Sequence, residues 1–124
     1  MKTQITLPPG EYVIGDVCYL KQGQDIFDAI NFFDEMGPAF TGTFQGSQVF
    51  VALTRYGDGG FKDNEGREYS VDGGNIGIVP LDKATPNLDW FPQHIITFDE
   101  PFVCSRSNDR DQGVITFGHI KIRT

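Results

Sequence analysis

The stretch Ser47-Gln48-Val49-Phe50-Val51-Ala52-Leu53 decides the fold. Its apolar run is nearly continuous, which is typical of a strand that is covered on both faces. A strand is predicted over residues 47–56, the preceding residues 41–45 also suit a strand, and Gln45-Gly46 suits the turn between the two. The sequence therefore predicts a β-hairpin whose second strand lies at the centre of a sheet.

Further strands are predicted on both sides of this hairpin, because apolar and aromatic residues alternate between Gly and Pro turns. The first covers residues 11–20 and is interrupted at Gly15-Asp16, as a bulge or a strand end would interrupt it. A second hairpin turns at Asp63-Asn64-Glu65-Gly66. Later strands are expected at 75–81, 94–105 and 113–123, separated by a loop at 82–93 and a polar loop at 106–112.

One helix is predicted, over residues 25–36. Asp25 is a suitable N-cap, and Gly37-Pro38 would end the helix. The apolar residues Ile26, Ile30 and Phe33 recur at i, i+4 and i+7, so they form one face that packs on the sheet.

The order of these elements predicts a single globular domain over residues 1–124. Its class is α+β, with a predominantly antiparallel β sheet or a small barrel that carries the one helix. The chain has 124 residues, of which 39% are hydrophobic and eleven are Phe, so it can bury a core without disulfides.

Charge and composition restrict the partners. The formal net charge is −7, which disfavours a nucleic-acid duplex because such binding needs clustered Lys and Arg. No apolar run approaches the ~20 residues of a membrane span, and residues 1–9 lack the apolar region of a signal peptide. We therefore expect a cytoplasmic protein with no membrane partner, no cofactor, and reduced thiols at Cys18 and Cys104.

Three Gly-Asp segments stand beside aromatic residues near predicted strand ends: Gly15-Asp16-Val17-Cys18-Tyr19, Tyr56-Gly57-Asp58-Gly59-Gly60-Phe61 and Val71-Asp72-Gly73-Gly74-Asn75. An aromatic ring there can stack on a nucleobase, and a carboxylate can accept from its N–H edge. Tight turns and core packing explain the same residues equally. The candidate ligand residues in this group are Asp16, Tyr19, Tyr56, Asp58, Asp72, Asn75 and Trp90.

Basic residues concentrate near the end of the chain, at Arg106, Arg110, His119, Lys121 and Arg123. Strand alternation places His119, Lys121 and Arg123 on one face, where they could bind an anion together. A solvated face with salt bridges to the acidic majority is the alternative interpretation.

Two other kinds of site have weaker patterns. Six carboxylate or amide side chains occur from Asp58 to Asp72, but their spacing does not match a calcium loop, so no metal site is predicted. Cys18 could act as a nucleophile if His94 or His119 reached it in space, although no local motif supports such a pair.

The three Gly-Asp segments, extended to residues 10–19, 56–61 and 69–80, resemble a set of short uncharacterised proteins of bacteria and tailed phages. The matching segments contain 28 of the 124 residues, and the resemblance implies a small accessory protein, with phage counter-defence as its setting. The leading hypothesis is non-catalytic binding or sequestering of a small anionic, nucleotide-like ligand. The alternatives are an acidic inhibitor that binds a host protein directly, as a monomer or a homo-oligomer, and a small hydrolase that uses carboxylates or Cys18.

Overall fold

The computed structural model describes residues 3–31, 37–86 and 93–124. In this part of the chain, strands dominate and one α-helix is present. The helix α1 covers Gly23–Ala29, and short 3-10 helices cover Val17–Tyr19 and Leu81–Lys83. The strands are β1 Thr3–Leu7, β2 Gly10–Gly15, β3 Ala39–Phe44, β4 Ser47–Leu53, β5 Gly59–Lys62, β6 Glu68–Val71, β7 Asn75–Pro80, β8 His94–Phe98, β9 Phe102–Asp109, β10 Gln112–Phe117 and β11 Ile120–Arg123.

Two antiparallel sheets pack face to face. One has the order β1-β9-β10-β11 and the other the order β3-β4-β7-β2-β8. Side chains from both sheets form one buried cluster, in which Phe50 meets Phe117 edge-on at 6.2 Å between ring centroids. The α+β class with predominantly antiparallel sheet is confirmed, and the described strands form a two-sheet sandwich rather than a closed barrel.

The central position predicted for the strand over residues 47–56 is confirmed, but the strand ends at Leu53 because the chain turns at 55–56. Strand β4 lies between β3 and β7, and Val49, Phe50, Val51 and Ala52 are fully buried. Phe50 and Ala52 face the other sheet, whereas Val49 and Val51 belong to a second cluster with the helix. The side chains of β4 thus point alternately into two hydrophobic cores, which explains the continuous apolar run of this strand.

The helix is confirmed in type but not in extent. It begins at Gly23, with Gln22 rather than Asp25 at the N-cap, and ends at Ala29. A Cβ at Gly23 would lie 2.4 Å from the Val17 carbonyl oxygen, so glycine permits the helix to start close against the preceding 3-10 helix. Ile26 and Ile30 are buried as predicted. The predicted end at residues 32–36, including Phe33, lies outside the described residues.

The single strands predicted at 94–105 and 11–20 are wrong. Residues 94–105 form β8 and β9, which belong to different sheets and are joined at 99–101. Pro101 lies in this connection, where its missing N–H costs no ladder hydrogen bond. The strand at 11–20 ends at Gly15, because the next residues turn into the 3-10 helix Val17–Tyr19.

The polar loop predicted at 106–112 and the strand predicted at 113–123 are also wrong. Strand β9 continues to Asp109, and only a short turn with Arg110 at φ +59° precedes β10. A second turn, with Gly118 at φ +59°, divides the last segment into β10 and β11. Ser107, Asn108 and Asp109 are polar and at least partly exposed, as loop residues are, although they pair with β10 in the sheet. Their composition therefore predicted a loop where the chain forms a strand.

The β5–β6 hairpin covers one open side of the sandwich. Its predicted turn is confirmed, with Gly66 at φ +87°. Asp63 forms a β-bridge with Ile122 of β11, and the Glu68 carbonyl is 2.6 Å from Nε2 of His94 on β8. Within the described residues, no helix is long and apolar enough to cross a membrane.

The sandwich has two distinct ends. We call the first the loop end, which comprises residues 16–19, 54–58, 72–75 and 109–112. The second, the turn end, comprises residues 8–10, 45–46, 81–83, 99–101 and 118–119. The registers of β2, β4, β7, β9, β10 and β11 fix this division.

Candidate functional site

The first and third Gly-Asp segments meet at the loop end through Asp16. Its Oδ1 accepts a hydrogen bond from the Cys18 amide at 2.9 Å, and its Oδ2 accepts from the amides of Asp72 and Gly73 at 2.7 Å each. The residue is only 2% exposed. Its carboxylate therefore joins two loops, and backbone donors rather than a ligand surround it.

Asn75 completes the same junction from the first residue of β7. Its Oδ1 accepts from the Val17 amide at 3.0 Å, and its Nδ2 donates to the Gly73 carbonyl at 3.2 Å. The residue is fully buried. We call Asp16, Asn75 and the loops they join, 16–19 and 72–75, the aspartate clamp.

The second Gly-Asp segment lies beside this clamp but exposes its side chains. Thr54 accounts for the placement, because its amide donates to the Gly74 carbonyl at 3.0 Å and its hydroxyl donates to the Gly57 carbonyl at 2.5 Å. Asp58 is exposed and has no hydrogen bond or ion pair within the described residues. The three segments therefore lie together at the loop end, while their carboxylates have different surroundings.

Cys18 lies in the clamp and lacks the surroundings of a nucleophile. Cys18 is exposed, but partial desolvation of its thiol and the Asp16 carboxylate raise the pKa of the thiol to about 11, so it is protonated at neutral pH. The imidazoles have other partners: His94 contacts the Glu68 carbonyl, and His119 lies 3.5 Å from Glu65. The contacts of the described residues thus give the Cys-His hypothesis no support.

Tyr19 and Asp72 form a hydrogen bond on the rim of the clamp. The Tyr19 hydroxyl donates to Oδ2 of Asp72 at 2.9 Å. Partial burial, followed by this hydrogen bond, raises the pKa of Tyr19 to about 12. These two candidate residues consequently contact each other, and the pair remains at the surface.

The carboxylate-rich hairpin turn also has an internal role. Oδ1 of Asp63 accepts from the amides of Glu65 and Arg67 at 2.8 and 2.9 Å, and Oδ2 accepts from the Tyr69 hydroxyl at 2.8 Å. Burial acts to raise the pKa of Asp63, but the hydrogen bonds from Tyr69, Arg67 and Glu65 outweigh it and lower the pKa. This geometry is that of a turn anchor.

The predicted basic cluster is divided by the fold. Lys121 and Arg123 lie on the exposed face of β11, as predicted, and Arg110 is exposed in the β9–β10 turn. His119 is exposed at the turn end. Arg106 differs most from its predicted position in a loop, because it lies on β9 and is only 4% exposed.

Lys121 and Arg123 line a small cavity together with Lys62, which the sequence analysis did not single out. The cavity has a volume of about 170 Å³, and Asp63 and Asn64 complete its lining. The hairpin is fixed there because the Lys121 amide donates to Oδ1 of Asn64 at 2.8 Å. We call this the basic cavity. Lys62 is far from β11 in sequence, so only the docking of the hairpin reveals it.

Tyr56 has a more exposed ring than Tyr19, the other aromatic candidate among the described residues. It is 64% exposed, its hydroxyl donates to the Asp111 carbonyl at 2.7 Å, and the Arg55 guanidinium lies 5.6 Å from its ring centroid. Arg123 contacts the same β9–β10 turn, through an ion pair with Asp109 at 3.0 Å. Trp90, the remaining aromatic candidate, lies outside the described residues.

Two larger clefts lie at the turn end. One, of about 480 Å³, is lined by Thr97–Phe102 with Gly118 and His119, and includes the exposed carboxylates of Asp99 and Glu100. The other, of about 450 Å³, is lined by Pro8, Pro9, Gly10, Glu11, Tyr12, Ser47, Pro80, Leu81 and Asp82. Neither was indicated by the sequence, because each assembles from turns of different strands.

No protein-family model, curated protein or solved structure matches the chain. The fold of the described residues defines the class of this protein, which is a two-sheet α+β sandwich with a helix on one face.

Proposed function

We propose that this chain is a non-catalytic binding protein for a small anionic, nucleotide-like ligand. The anionic group would occupy the basic cavity, and the ring would lie against Tyr56. The observation that carries the proposal is that Lys62, Lys121 and Arg123 line one cavity in a chain whose net charge is −7. The sequence resemblance adds a phage accessory, counter-defence setting in the cytoplasm.

The charges in the basic cavity are open to a ligand. Lys121 is in no ion pair within the described residues, and the pairs Lys62–Glu68 and Arg123–Asp109 are both exposed. Exposed ion pairs contribute little stability, so an incoming anion can replace their carboxylates at small cost. Arg123 can also offer two parallel N–H donors to a phosphate.

The size of the cavity favours a ligand with two parts. About 170 Å³ accommodates a phosphate-like group but leaves no room for a ring system. The exposed ring of Tyr56 supplies a stacking surface outside the cavity, and its hydroxyl is anchored to the turn that Arg123 also contacts. A ligand that reaches across this turn could therefore engage both.

The experiment is calorimetric titration with mono-, di- and cyclic nucleotides. We expect a micromolar binder whose affinity falls at least tenfold in the double variant Lys121→Ala/Arg123→Ala, because each lost charged hydrogen bond costs roughly 1.5–3 kcal/mol. Tyr56→Ala should weaken the binding of nucleotides but leave the binding of inorganic phosphate unchanged.

The matched control is Lys21→Ala/Lys83→Ala, which removes the same charge from residues outside the basic cavity. It should bind as the wild type does. A panel with no binder below millimolar concentration would contradict the proposal, as would a Lys121/Arg123 double variant that binds normally.

Direct binding of a host protein is the second candidate, and the 480 Å³ cleft at the turn end favours it. Asp99 and Glu100 are exposed there, and neither is in an ion pair within the described residues. A basic partner segment would suit these carboxylates. Charge reversal in Asp99→Lys/Glu100→Lys would abolish such binding while nucleotide affinity is retained.

A further inference from the structure

Arg106 is a buried cation with neutral partners only. It pairs in register with Ile115, whose side chain is in the core, so its own side chain points between the sheets. Its Nε donates to the Leu53 carbonyl at 2.5 Å, and its Nη1 donates to the Ser107 carbonyl at 2.5 Å and to Oδ1 of Asn108 at 3.1 Å. These contacts satisfy hydrogen bonds but leave the charge uncompensated.

No carboxylate among residues 3–31, 37–86 and 93–124 lies within ion-pairing distance of Arg106. Burial and the nearby positive charge of Arg55 lower the pKa of its guanidinium, although an arginine remains protonated. A buried charge without a counter-charge is expensive, and a neutral side chain could fill the same space without that expense. Its presence in a chain with 17 acidic residues therefore needs a reason.

The position of Arg106 supplies that reason. Its guanidinium joins the end of β4, at Leu53, to the β9–β10 hairpin, at Asn108. Tyr56 joins the same two segments at the surface, through the carbonyl of Asp111. The uncompensated charge of Arg106 therefore lies between two segments. One leads to the exposed ring of Tyr56, and the other carries Asp109, the ion-pair partner of Arg123.

We propose that Arg106 adds a buried positive charge to the ligand site formed by the basic cavity and Tyr56, and that this charge makes the site select phosphate-type polyanions over singly charged anions. This inference rests on the proposed function and deepens it. A charge held in the interior is weakly screened by solvent, so its attraction grows with the charge of the ligand. Arg106 acts through the electrostatic potential and does not contact the ligand.

Two variants separate charge from hydrogen bonding. Arg106→Lys keeps the charge but loses the forked donors, whereas Arg106→Gln keeps a donor for the Leu53 carbonyl but loses the charge. Calorimetry with inorganic pyrophosphate, and with acetate as the singly charged control, measures the selectivity. We expect Arg106→Gln to lose about tenfold in pyrophosphate affinity and Arg106→Lys to remain within threefold of the wild type. Acetate affinity should change little in either.

Equal losses in both variants would show a structural clamp and overturn the inference. If Arg106→Gln does not fold, hydrogen exchange of the wild type decides. Pyrophosphate bound in the basic cavity should then slow exchange at 62–64 and 121–123 and also at 53–56 and 106–112, because opening of the latter segments would expose Arg106 to solvent and lose its attraction to the ligand. Slowing confined to 62–64 and 121–123 would reject the role of Arg106.

The two proposals can fail separately. If nucleotides bind through Lys121 and Arg123 but Arg106→Gln retains wild-type pyrophosphate affinity, only the inference about Arg106 fails. If pyrophosphate binds with the expected dependence on Arg106 but no nucleotide does, the nucleotide-like ligand is wrong and the buried charge stands. Absence of both kinds of binding rejects both.

Discussion

Asp16 and Asp58 occupy similar Gly-Asp steps, yet the fold uses them in opposite ways. Asp16 is 2% exposed and accepts hydrogen bonds from three backbone amides, whereas Asp58 is exposed and has no side-chain partner in the described residues. The Asp16 carboxylate is therefore bound within the fold, whereas the neighbouring segment with Tyr56 faces solvent. Local sequence specifies a turn in both places, and burial decides whether the carboxylate is available to a ligand.

The largest effect that tests this comparison is expected for Asp16→Ala. The change removes the buried carboxylate that accepts from the amides of Cys18, Asp72 and Gly73 and so joins the two loops, and we expect a loss of about 3 kcal/mol in the free energy of unfolding. Urea denaturation measures it. The matched control Asp58→Ala should cost less than about 0.5 kcal/mol. Equal losses in the two variants would remove the distinction between the segments.

The reactivity of Cys18 tests the clamp from another side. A rise of the thiol pKa from 9.0 to about 11 lowers the thiolate fraction at pH 8 by about a hundredfold. We therefore expect slow alkylation by iodoacetamide at pH 8 and a steep increase toward pH 11. Asp16→Asn should accelerate the reaction, since it removes the neighbouring negative charge. Fast alkylation at pH 7 would instead revive the nucleophile hypothesis.

Replacement of Asp63, the turn anchor, is expected to destabilise the protein somewhat less than replacement of Asp16. Asp63→Asn loses the ion pair with Arg67 and the acceptor for the Tyr69 hydroxyl, while an amide oxygen can still accept from the backbone, so we expect about 2 kcal/mol of destabilisation. The folded pKa of Asp63 is lowered, so its contribution is present above the ordinary pKa of about 3.9 and is lost as the pH falls below it.

Unfolding experiments between pH 7 and pH 2 measure this dependence. The stability difference between wild type and Asp63→Asn should shrink as the pH falls below about 4. A stability difference that stays constant over this pH range would show that the partners of Asp63 do not lower the pKa of its carboxyl group.

Much of the fold follows from the sequence because its signals are local. The apolar run of β4, the Gln45-Gly46 turn and the Asp63–Gly66 turn each determine their own structure. The errors at 94–105 and 113–123 have a common cause. Apolar alternation continues across Pro101 and Gly118, but the chain changes sheet or direction there, and only packing between the sheets makes that choice.

The candidate site was less predictable for the same reason. Spacing along β11 identified Lys121 and Arg123, since strand alternation is local. It could not identify Lys62, which reaches them only after the β5–β6 hairpin docks, nor the burial of Arg106, whose polar neighbours Ser107 and Asn108 indicated a loop. Contacts between distant segments decide both.

The smallest effect is expected at the basic cavity, where stability and binding should separate. The side chains of Lys121 and Arg123 are exposed, and the single ion pair between Arg123 and Asp109 lies at the surface. Lys121→Ala/Arg123→Ala should therefore change the free energy of unfolding by less than about 0.5 kcal/mol. Removing two positive charges from an acidic chain slightly increases its self-repulsion, so any loss should diminish as salt is added. Urea denaturation at low and high salt measures this, and a loss above about 2 kcal/mol would mean that these cations support the fold rather than a ligand.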